Sequence, residues 1–100
     1  MDKYTVKMYA RAYRDLDNIY AYIAKNLSEP EVALSIVTAL EQAIFSLEML
    51  PERGAMRRTG AYANQGYRQL FVKNYVILYR ILSKEREVHI VTVRYAMSQF

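Results

Sequence analysis

Two periodicities organise the first part of the chain. Residues 4–9, "YTVKMY", alternate weakly between apolar and polar positions and are rich in β-forming side chains, which predicts a first strand. From residue 10 the apolar positions follow helical spacing, which predicts an amphipathic helix to about residue 26. The predicted buried stripe of this helix consists of Tyr13, Leu16, Ile19, Tyr20, Ile23 and Leu27.

A second helix is predicted from "SEPE", residues 28–31, to about residue 50. Ser28 and Glu31 have the spacing of a capping box, and Pro30 fits a first helical turn because its missing N–H would be unpaired there. Pro51 ends the helix. The predicted buried stripe consists of Val32, Ile36, Leu40, Ile44 and Leu47. Since the link between the helices is very short, they are expected to form an antiparallel hairpin.

Residues 51–66 contain all the glycines of the chain and predict a loop, after which three strands follow. The predicted strands are about Tyr67–Val72, Tyr75–Leu82 and Glu87–Tyr95, with "KN" and "SKERE" as turns. Such short turns predict an antiparallel meander. The almost continuous apolar run of the middle strand indicates a central strand covered on both faces. The order β-α-α-β-β-β therefore predicts an α+β fold, with a helical layer on one sheet.

Length and composition narrow the class of protein. One hundred residues suit a single domain, residues 1–100, and a hydrophobic fraction of 53% indicates a globular chain. No apolar run approaches the ~20 residues that span a bilayer, and charges interrupt the N-terminal segment where a signal peptide would be apolar. Cysteine is absent, which excludes a disulfide framework and a thiolate site. We therefore expect a cytoplasmic protein with no membrane partner.

The net charge of +4 is distributed unevenly. Residues 1–50 hold five Lys/Arg against seven Asp/Glu, a net of −2, whereas residues 51–100 hold nine against three, a net of +6. A basic half favours an acidic or polyanionic partner, and a merely solvated basic face is the alternative. The carboxylates do not form a catalytic pair, because Asp15 and Asp17 lie two positions apart on a helix and point to different faces.

Few residues support a catalytic or metal-binding site. His89 is the only histidine, and it is expected to share a strand face with Val91, Val93 and Tyr95, which is typical of a packed or edge residue. No second soft ligand accompanies it, so no metal is expected. The glycines match neither a phosphate loop nor a dinucleotide-binding fingerprint, and no cofactor is expected.

Arginine and tyrosine are the remaining candidates for contact with a partner. The candidate residues are Arg57, Arg58, Arg68, Lys73, Arg80, Arg94 and Tyr95. Arginine binds phosphate and carboxylate groups through a planar fork, and tyrosine stacks or donates a hydrogen bond. Among the ten tyrosines, Tyr13, Tyr20 and Tyr79 fit core positions. Arg68 has a structural alternative, because it shares strand parity with Leu70 and its face is then the core face.

Several segments together resemble a known family. The pattern "ARAYRDLDNIYAYIA…ALEQAIFSLEMLPERGAMR…YRQLFVKNYVILYRI…VHIVTVRYA" is similar to the RelE/ParE superfamily of toxins from bacterial type II toxin–antitoxin pairs. The likeness covers nearly the whole chain and depends on the order and spacing of the segments. It implies a helical hairpin against a twisted antiparallel sheet, arrest of bacterial growth, and a cognate antitoxin that lays an extended or helical segment across the toxin. The hairpin or an exposed sheet edge is expected to mediate assembly into oligomers.

The resemblance implies one of two mechanisms. RelE-like members cut mRNA in the ribosomal A site, whereas ParE-like members poison DNA gyrase and do not cut RNA. RelE-like nucleases place an arginine after the aromatic residue that opens the central strand, and here Val76 follows Tyr75. They also carry His, Arg or Tyr shortly after the last strand, where this chain has Ala96 and Met97. The depleted catalytic set favours a ParE-like toxin that binds gyrase and is not a nuclease.

Two alternatives to the gyrase-binding toxin stay open. In the first, the chain is a RelE-like endoribonuclease acting on the ribosome and mRNA, and Arg68, Lys73, Arg94 and Tyr95 supply the cationic and proton-transfer groups. In the second, it is a degenerate, non-toxic member that only binds an antitoxin.

Overall fold

The chain forms a helical hairpin followed by a strand meander, as predicted. The computed structural model describes residues 3–98 and residue 100. The elements are β1 (Thr5–Met8), α1 (Ala10–Ala21), α2 (Pro30–Ser46), β2 (Ala55–Met56), β3 (Tyr67–Val72), β4 (Tyr75–Leu82) and β5 (Glu87–Tyr95). A π-helical turn at Tyr22–Asn26 extends α1, and a 3-10 turn at Pro51–Arg53 follows α2. The predicted α+β fold is confirmed, and β2 is an additional short strand within the predicted loop.

The described strands form one five-stranded sheet with the order β1-β5-β4-β3-β2. Strand β1 pairs in parallel with the first half of β5, from Thr5 opposite Glu87 to Met8 opposite Ile90, and the other neighbours are antiparallel. Parallel neighbours need a long crossover connection, which the helical hairpin and the meander supply. The sequence pattern predicted β1 but not its partner. Strand β4 is central, as expected from its apolar run.

The helices cover one face of the sheet, and the core lies between them. The buried cluster joins Ala12, Leu16, Leu40, Ala43, Ile44 and Leu47 to Leu70, Ile77, Tyr79, Val88, Ile90 and Val93 of the sheet. The opposite face, which we call the outer face, carries Gln69, Leu78, Thr92 and Arg94. Strand β4 is buried on both faces, because Val76 to Tyr79 are each at most 2% exposed.

A β-bulge changes the side-chain parity of β5. Leu78 lies opposite Thr92 while the next residue, Tyr79, lies opposite Ile90, so Val91 is an extra residue on β5. An extra residue of this kind shifts the alternation of the strand by one position. The prediction that His89 shares a face with Val93 is therefore wrong. His89 lies opposite Arg80 on the outer face, and Val93 packs in the core.

The predicted stripe of α1 is partly wrong. Leu16 and Ile23 are buried, but Tyr13 and Tyr20 are exposed, and so is Leu27. The physical reason is the small residue Ala12, which is fully buried and lets the helix approach the sheet on the line through Ala12 and Leu16. Tyr13 and Tyr20 flank this line. Of the three tyrosines predicted to lie in the core, only Tyr79 is buried.

The start of α2 also differs from the prediction. Glu29 is the N-cap residue and makes no capping hydrogen bond through its side chain, so the predicted capping box does not form. Ser28 has φ +53° instead and belongs to the turn before the helix. Pro30 lies in the first turn as predicted. At this end Ala33 is buried and Val32 is exposed. In the rest of the predicted stripe Ile36 is half-buried, and Leu40, Ile44 and Leu47 are buried.

Candidate partner-binding site

The predicted basic candidates do not form one cluster. Arg57, Arg80 and Arg94 lie on or beside the outer face, whereas Arg68 is on the face covered by the helices. Lys73 is in the turn between β3 and β4, at φ +56°, and borders α2. The candidates therefore lie in different parts of the surface, and they differ in the contacts that their side chains make.

Arg57 is held inside the fold. Its side chain is 8% exposed, and the guanidinium donates to the carbonyl of Ala61 (2.7 Å), to Gln69 Oε1 (3.1 Å) and to the carbonyl of Phe100 (2.7 Å). Its Cζ atom lies 4.3 Å from the centre of the Phe100 ring. These contacts fasten the loop after β2 to the sheet, so the expectation that Arg57 is free to contact a partner conflicts with its burial. Gly60 is required beside it, because a Cβ there would lie 2.4 Å from the Phe100 carbonyl oxygen.

Arg68 helps to hold the turn between α2 and β2. Its Nη1 donates to the Gly54 carbonyl at 2.7 Å. The buried Tyr79 hydroxyl accepts from the Gly54 N–H at 2.8 Å and donates to the Pro51 carbonyl at 2.7 Å. A Cβ on Gly54 would lie 2.6 Å from the Gln69 carbonyl oxygen, so only glycine fits. Pro51 and Gly54 of the segment "LPERG", residues 50–54, therefore have structural roles in this turn. The geometry of Arg68 favours a structural role over contact with a partner.

Arg58 and Arg80 have exposed side chains. Arg80 lies over the ring of Tyr67, with its Cζ atom 5.7 Å from the ring centre, and Tyr67 packs edge-on against Tyr62 at 5.0 Å. A guanidinium over an aromatic face keeps its N–H groups directed outwards, towards solvent or a ligand. Together with the exposed Lys73, these two arginines are therefore the basic candidates most accessible to a large partner.

A groove of about 760 Å³ lies between the helical hairpin and the end of β5. We call it the hairpin groove. Its lining includes Ile19, Ile23, Leu27 and Val32 on the helices and Val93 and Tyr95 on β5. Leu27, Val32 and Tyr95 are exposed, although their packed surroundings are apolar. An apolar concavity of this size on a small protein is typical of a binding surface.

Polar groups gather at the mouth of the hairpin groove. Tyr75 packs edge-on against Tyr95, with ring centres 5.7 Å apart. Burial raises the pKa of Tyr75, and the nearby hydroxyls of Tyr95 and Tyr22 raise it further. Tyr75 is therefore neutral and able to donate a hydrogen bond at pH 7. Arg94 lines the same groove, and it is the only Lys or Arg among the described residues that do so.

Arg94 is attached to α1 through a short chain of hydrogen bonds. Its Nε donates to Thr92 Oγ1 at 3.2 Å, and the Thr92 hydroxyl donates to the Asp15 carboxylate. The same Asp15 oxygen accepts the Val93 N–H at 3.0 Å. Arg94 also stacks on Phe100, with its Cζ atom 5.0 Å from the ring centre. Sequence reasoning missed Asp15 and Thr92 because the pairing of β1 was unknown.

His89 takes part in a set of side-chain contacts that joins β1 to β5. Its Nε2 lies 2.9 Å from Glu87 Oε1, its Nδ1 lies 3.0 Å from the Tyr9 hydroxyl, and Lys7 Nζ is 2.8 Å from Glu87 Oε2. Hydrogen bonds from Lys7 and His89 lower the pKa of Glu87 below its usual range. Both ring nitrogens are engaged, and His89 lies between Lys7 of β1 and Arg80 of β4, so it is a packed residue that fastens the first strand and not an edge residue.

A second apolar surface lies on the other side of the helical hairpin. Tyr13, Tyr20 and Phe45 border a groove of about 340 Å³ beside the edge strand β1. Phe45 is 64% exposed, and the two tyrosines are the residues that were predicted to be buried.

No group of three His, Cys, Asp or Glu side chains suited to a metal occurs within residues 3–98 and 100, and no helix there is long and apolar enough to cross a membrane.

The sequence matches one family over nearly its whole length. The profile described as "ParE toxin of type II toxin-antitoxin system, parDE" matches residues 6–100. The chain belongs to the ParE toxin family. Among curated proteins, none gives a significant match. The ParE assignment confirms the resemblance seen in the sequence and agrees with the branch inferred from Val76.

Solved structures of related toxins share the fold. The chain is similar to a structure titled as a chromosomal ParDE system from P. aeruginosa, with TM-score 0.75, 24% identity, and coverage of 93% of this chain and 96% of that one. It is also similar to a RelBE2 toxin–antitoxin complex from Mycobacterium tuberculosis, with TM-score 0.63, 25% identity and coverage of 93% and 98%. A free RelE toxin variant from E. coli has TM-score 0.62 at 11% identity, with coverage of 95% and 85%. These likenesses show the ParE/RelE fold, and the family match over residues 6–100 identifies the chain as a toxin of a type II toxin–antitoxin system.

Proposed function

We propose that this toxin arrests growth by binding DNA gyrase, without cutting RNA, and that a cognate antitoxin neutralises it. The observation that carries the proposal is the environment of Val76. Its side chain is 2% exposed and lies between Phe71 and Arg94 on the outer face. RelE-like nucleases place an arginine at this point, and a buried aliphatic side chain supplies neither charge nor a proton.

The groups around Val76 do not complete a catalytic set. Arg94, opposite Val76, supplies a positive charge that Thr92 and Phe100 hold in place, but it supplies neither the base nor the acid that cleavage needs. Ala96 and Met97, after the last strand, carry no group that transfers protons. RNA cleavage needs a base, an acid and a cation around one phosphate. A toxin that acts by binding is therefore better supported than a nuclease.

For the antitoxin, we propose the hairpin groove as the docking surface. Its occupant is an apolar segment of the antitoxin that carries a carboxylate opposite Arg94, because Arg94 is the only basic residue among the described residues lining this apolar groove. For gyrase, we propose two exposed cations as contact residues, Arg80 on the outer face and Arg58 in the loop after β2. Tyr95 lines the hairpin groove and is an antitoxin contact in this proposal, whereas Lys73 borders α2 outside that groove. Because both proposed partners are cytoplasmic, we also propose a cytoplasmic location for this toxin, acting as a single domain.

The test compares two activities of the purified chain side by side. A gyrase supercoiling and DNA-cleavage assay is run beside an assay of mRNA cleavage on ribosomes, and growth is followed with and without the small reading frame beside the gene. We expect growth arrest with DNA-damage signalling, gyrase inhibition, intact mRNA, and rescue by the neighbouring gene product.

Arg80→Ala and Lys84→Ala provide a matched pair. Both remove one exposed cation, but Lys84 lies in the turn between β4 and β5, away from the Tyr67 stack. We expect Arg80→Ala to weaken gyrase inhibition about fivefold, as for loss of one contact of ~1 kcal/mol, and Lys84→Ala to have little effect. Cleavage of ribosome-bound mRNA with gyrase unaffected would replace the proposal by the nuclease alternative. Soluble expression without growth arrest would indicate a degenerate, antitoxin-binding member.

A further inference from the structure

The chain of hydrogen bonds from α1 to Arg94 starts at a gap in the sheet. Strand β1 pairs with β5 only as far as Ile90, so the second half of β5 has no strand on that edge. Asp15, on the second turn of α1, lies at this gap and accepts the Val93 N–H. This bond satisfies an edge donor and is structural.

The other two bonds are not needed to satisfy the edge. Thr92 is 1% exposed, and its hydroxyl donates to Asp15 while accepting from Arg94 Nε. The Thr92 hydroxyl therefore couples a carboxylate on the helix to a guanidinium at the groove. Charge-assisted bonds in sequence restrict the orientation of each member more than a single neutral bond does.

We propose that Asp15 and Thr92 are positioning residues that direct the Arg94 fork towards the hairpin groove, where it binds a carboxylate of the antitoxin. The inference rests on the proposed docking of the antitoxin in that groove. Arg94 is half-buried, its Nε is held by Thr92, and its guanidinium lies on the Phe100 ring, while its two terminal nitrogens have no hydrogen bond among those found in the described residues. A fork held at one nitrogen and open at the other two has the geometry for a bidentate carboxylate pair.

The first experiment measures the position of Arg94 without any partner. The solvent exchange of its Nε–H, followed by nitrogen-15 NMR of the whole chain, should be slow in the parent protein. We expect exchange to accelerate at least about tenfold in Thr92→Val, which loses the acceptor, and to remain slow in Thr92→Ser, which keeps the hydroxyl. Thr38→Val, on the exposed surface of α2, is the matched control.

The second experiment is a double-mutant cycle on binding of the antitoxin that rescues growth. We expect Thr92→Val and Arg94→Ala each to weaken binding about tenfold, because each removes the positioned charged contact. If Thr92 acts through Arg94, Thr92→Val has little further effect in the Arg94→Ala background. The carboxylate is identified when one Asp→Asn or Glu→Gln change in the antitoxin also loses its effect in that background.

Each result supports or overturns the positioning role. Unchanged Nε–H exchange in Thr92→Val, or additive losses in the cycle, would show that Thr92 acts only on the fold. If Thr92→Val does not fold, Thr92→Ser decides the question. Fast Nε–H exchange of Arg94 in Thr92→Ser, which keeps the hydroxyl, would reject the proposal. Absence of any neutralising partner would overturn the proposed function, and the exchange measurement would still decide whether Thr92 orients Arg94.

Discussion

The Tyr79 hydroxyl offers the sharpest prediction about stability. Tyr79 is fully buried, and its hydroxyl bridges the Gly54 N–H and the Pro51 carbonyl across the turn after α2. Tyr79→Phe removes this one oxygen and leaves both backbone groups without their partner. Gly54 is itself buried, so water cannot readily replace the hydroxyl at its N–H.

The magnitude follows from the two lost bonds. A buried donor left unpaired costs about 1–3 kcal/mol, and the Pro51 carbonyl, which is half-buried, costs less. We expect Tyr79→Phe to lower the free energy of unfolding by about 2–3 kcal/mol. For a domain of this size, this corresponds to a fall in Tm of roughly 10–20 °C.

Urea unfolding followed by circular dichroism measures the change, since the chain has ten tyrosines but no tryptophan as a fluorescent probe. Tyr13→Phe is the matched control, because it removes the hydroxyl of a residue that is 58% exposed. We expect that control to stay within about 0.5 kcal/mol of the parent protein. Hydrogen exchange at the Gly54 amide should accelerate in Tyr79→Phe alone.

The alkaline limb of stability provides an independent check. Burial raises the pKa of Tyr79 above its ordinary value of 10.0, although the Gly54 N–H and the nearby Arg68 charge oppose this. The folded state then keeps a proton that the unfolded state loses above pH 10, so stability falls as pH rises towards the folded pKa. This fall should be smaller in Tyr79→Phe. A variant with unchanged unfolding free energy and an unchanged alkaline limb would refute the role assigned to the hydroxyl.

Three further predictions concern other parts of the fold. Because hydrogen bonds from Lys7 and His89 lower the pKa of Glu87 below 4.5, its stabilising effect should be present above that pH and disappear as pH falls through the folded pKa; acid titration of Glu87→Gln by circular dichroism should lack this part. Arg57→Ala should lose on the order of 3 kcal/mol in urea unfolding, whereas its exposed neighbour Arg58→Ala should lose less than about 0.5 kcal/mol. Gly54→Ala should fail to give cooperative thermal unfolding, since a Cβ would lie 2.6 Å from the Gln69 carbonyl oxygen; a normal transition would contradict that geometry.

Much of the fold could be predicted because its elements follow regular periods. The bounds of the last three strands agree with the pattern, since their turns carry few apolar residues. The exposure of Tyr13 could not be predicted, because helical spacing gives a stripe but not the line within it that contacts the sheet. The fully buried Ala12 determines that line, and a small apolar residue gives a weak signal in any hydrophobic pattern.

The candidate site was harder to predict because it depends on pairing and register. The bulge at Val91 inverts the faces of β5, and nothing in the apolar run marks the extra residue. The role of Asp15 depends on where β1 ends relative to β5, which is a long-range property. Val76 was informative in the sequence because the inference against a nuclease depended only on its position after Tyr75 in the central strand. That position can be read without knowing which residues pair with it.

We expect the arginines of the basic half to affect recognition in two physically different ways. Arg57 and Arg68 donate to carbonyl and amide oxygens, which hold the guanidinium groups but carry no negative charge to neutralise them. Their positive charge therefore still adds to the field outside the sheet, although Arg57 is buried and the Arg68 guanidinium is engaged with the Gly54 carbonyl. Arg58 and Arg80 are exposed and can do both. Loss of Arg80 should therefore slow association with an acidic or polyanionic target and lower the salt dependence of that association rate. Arg57 and Arg68 supply the attraction that every surface variant retains.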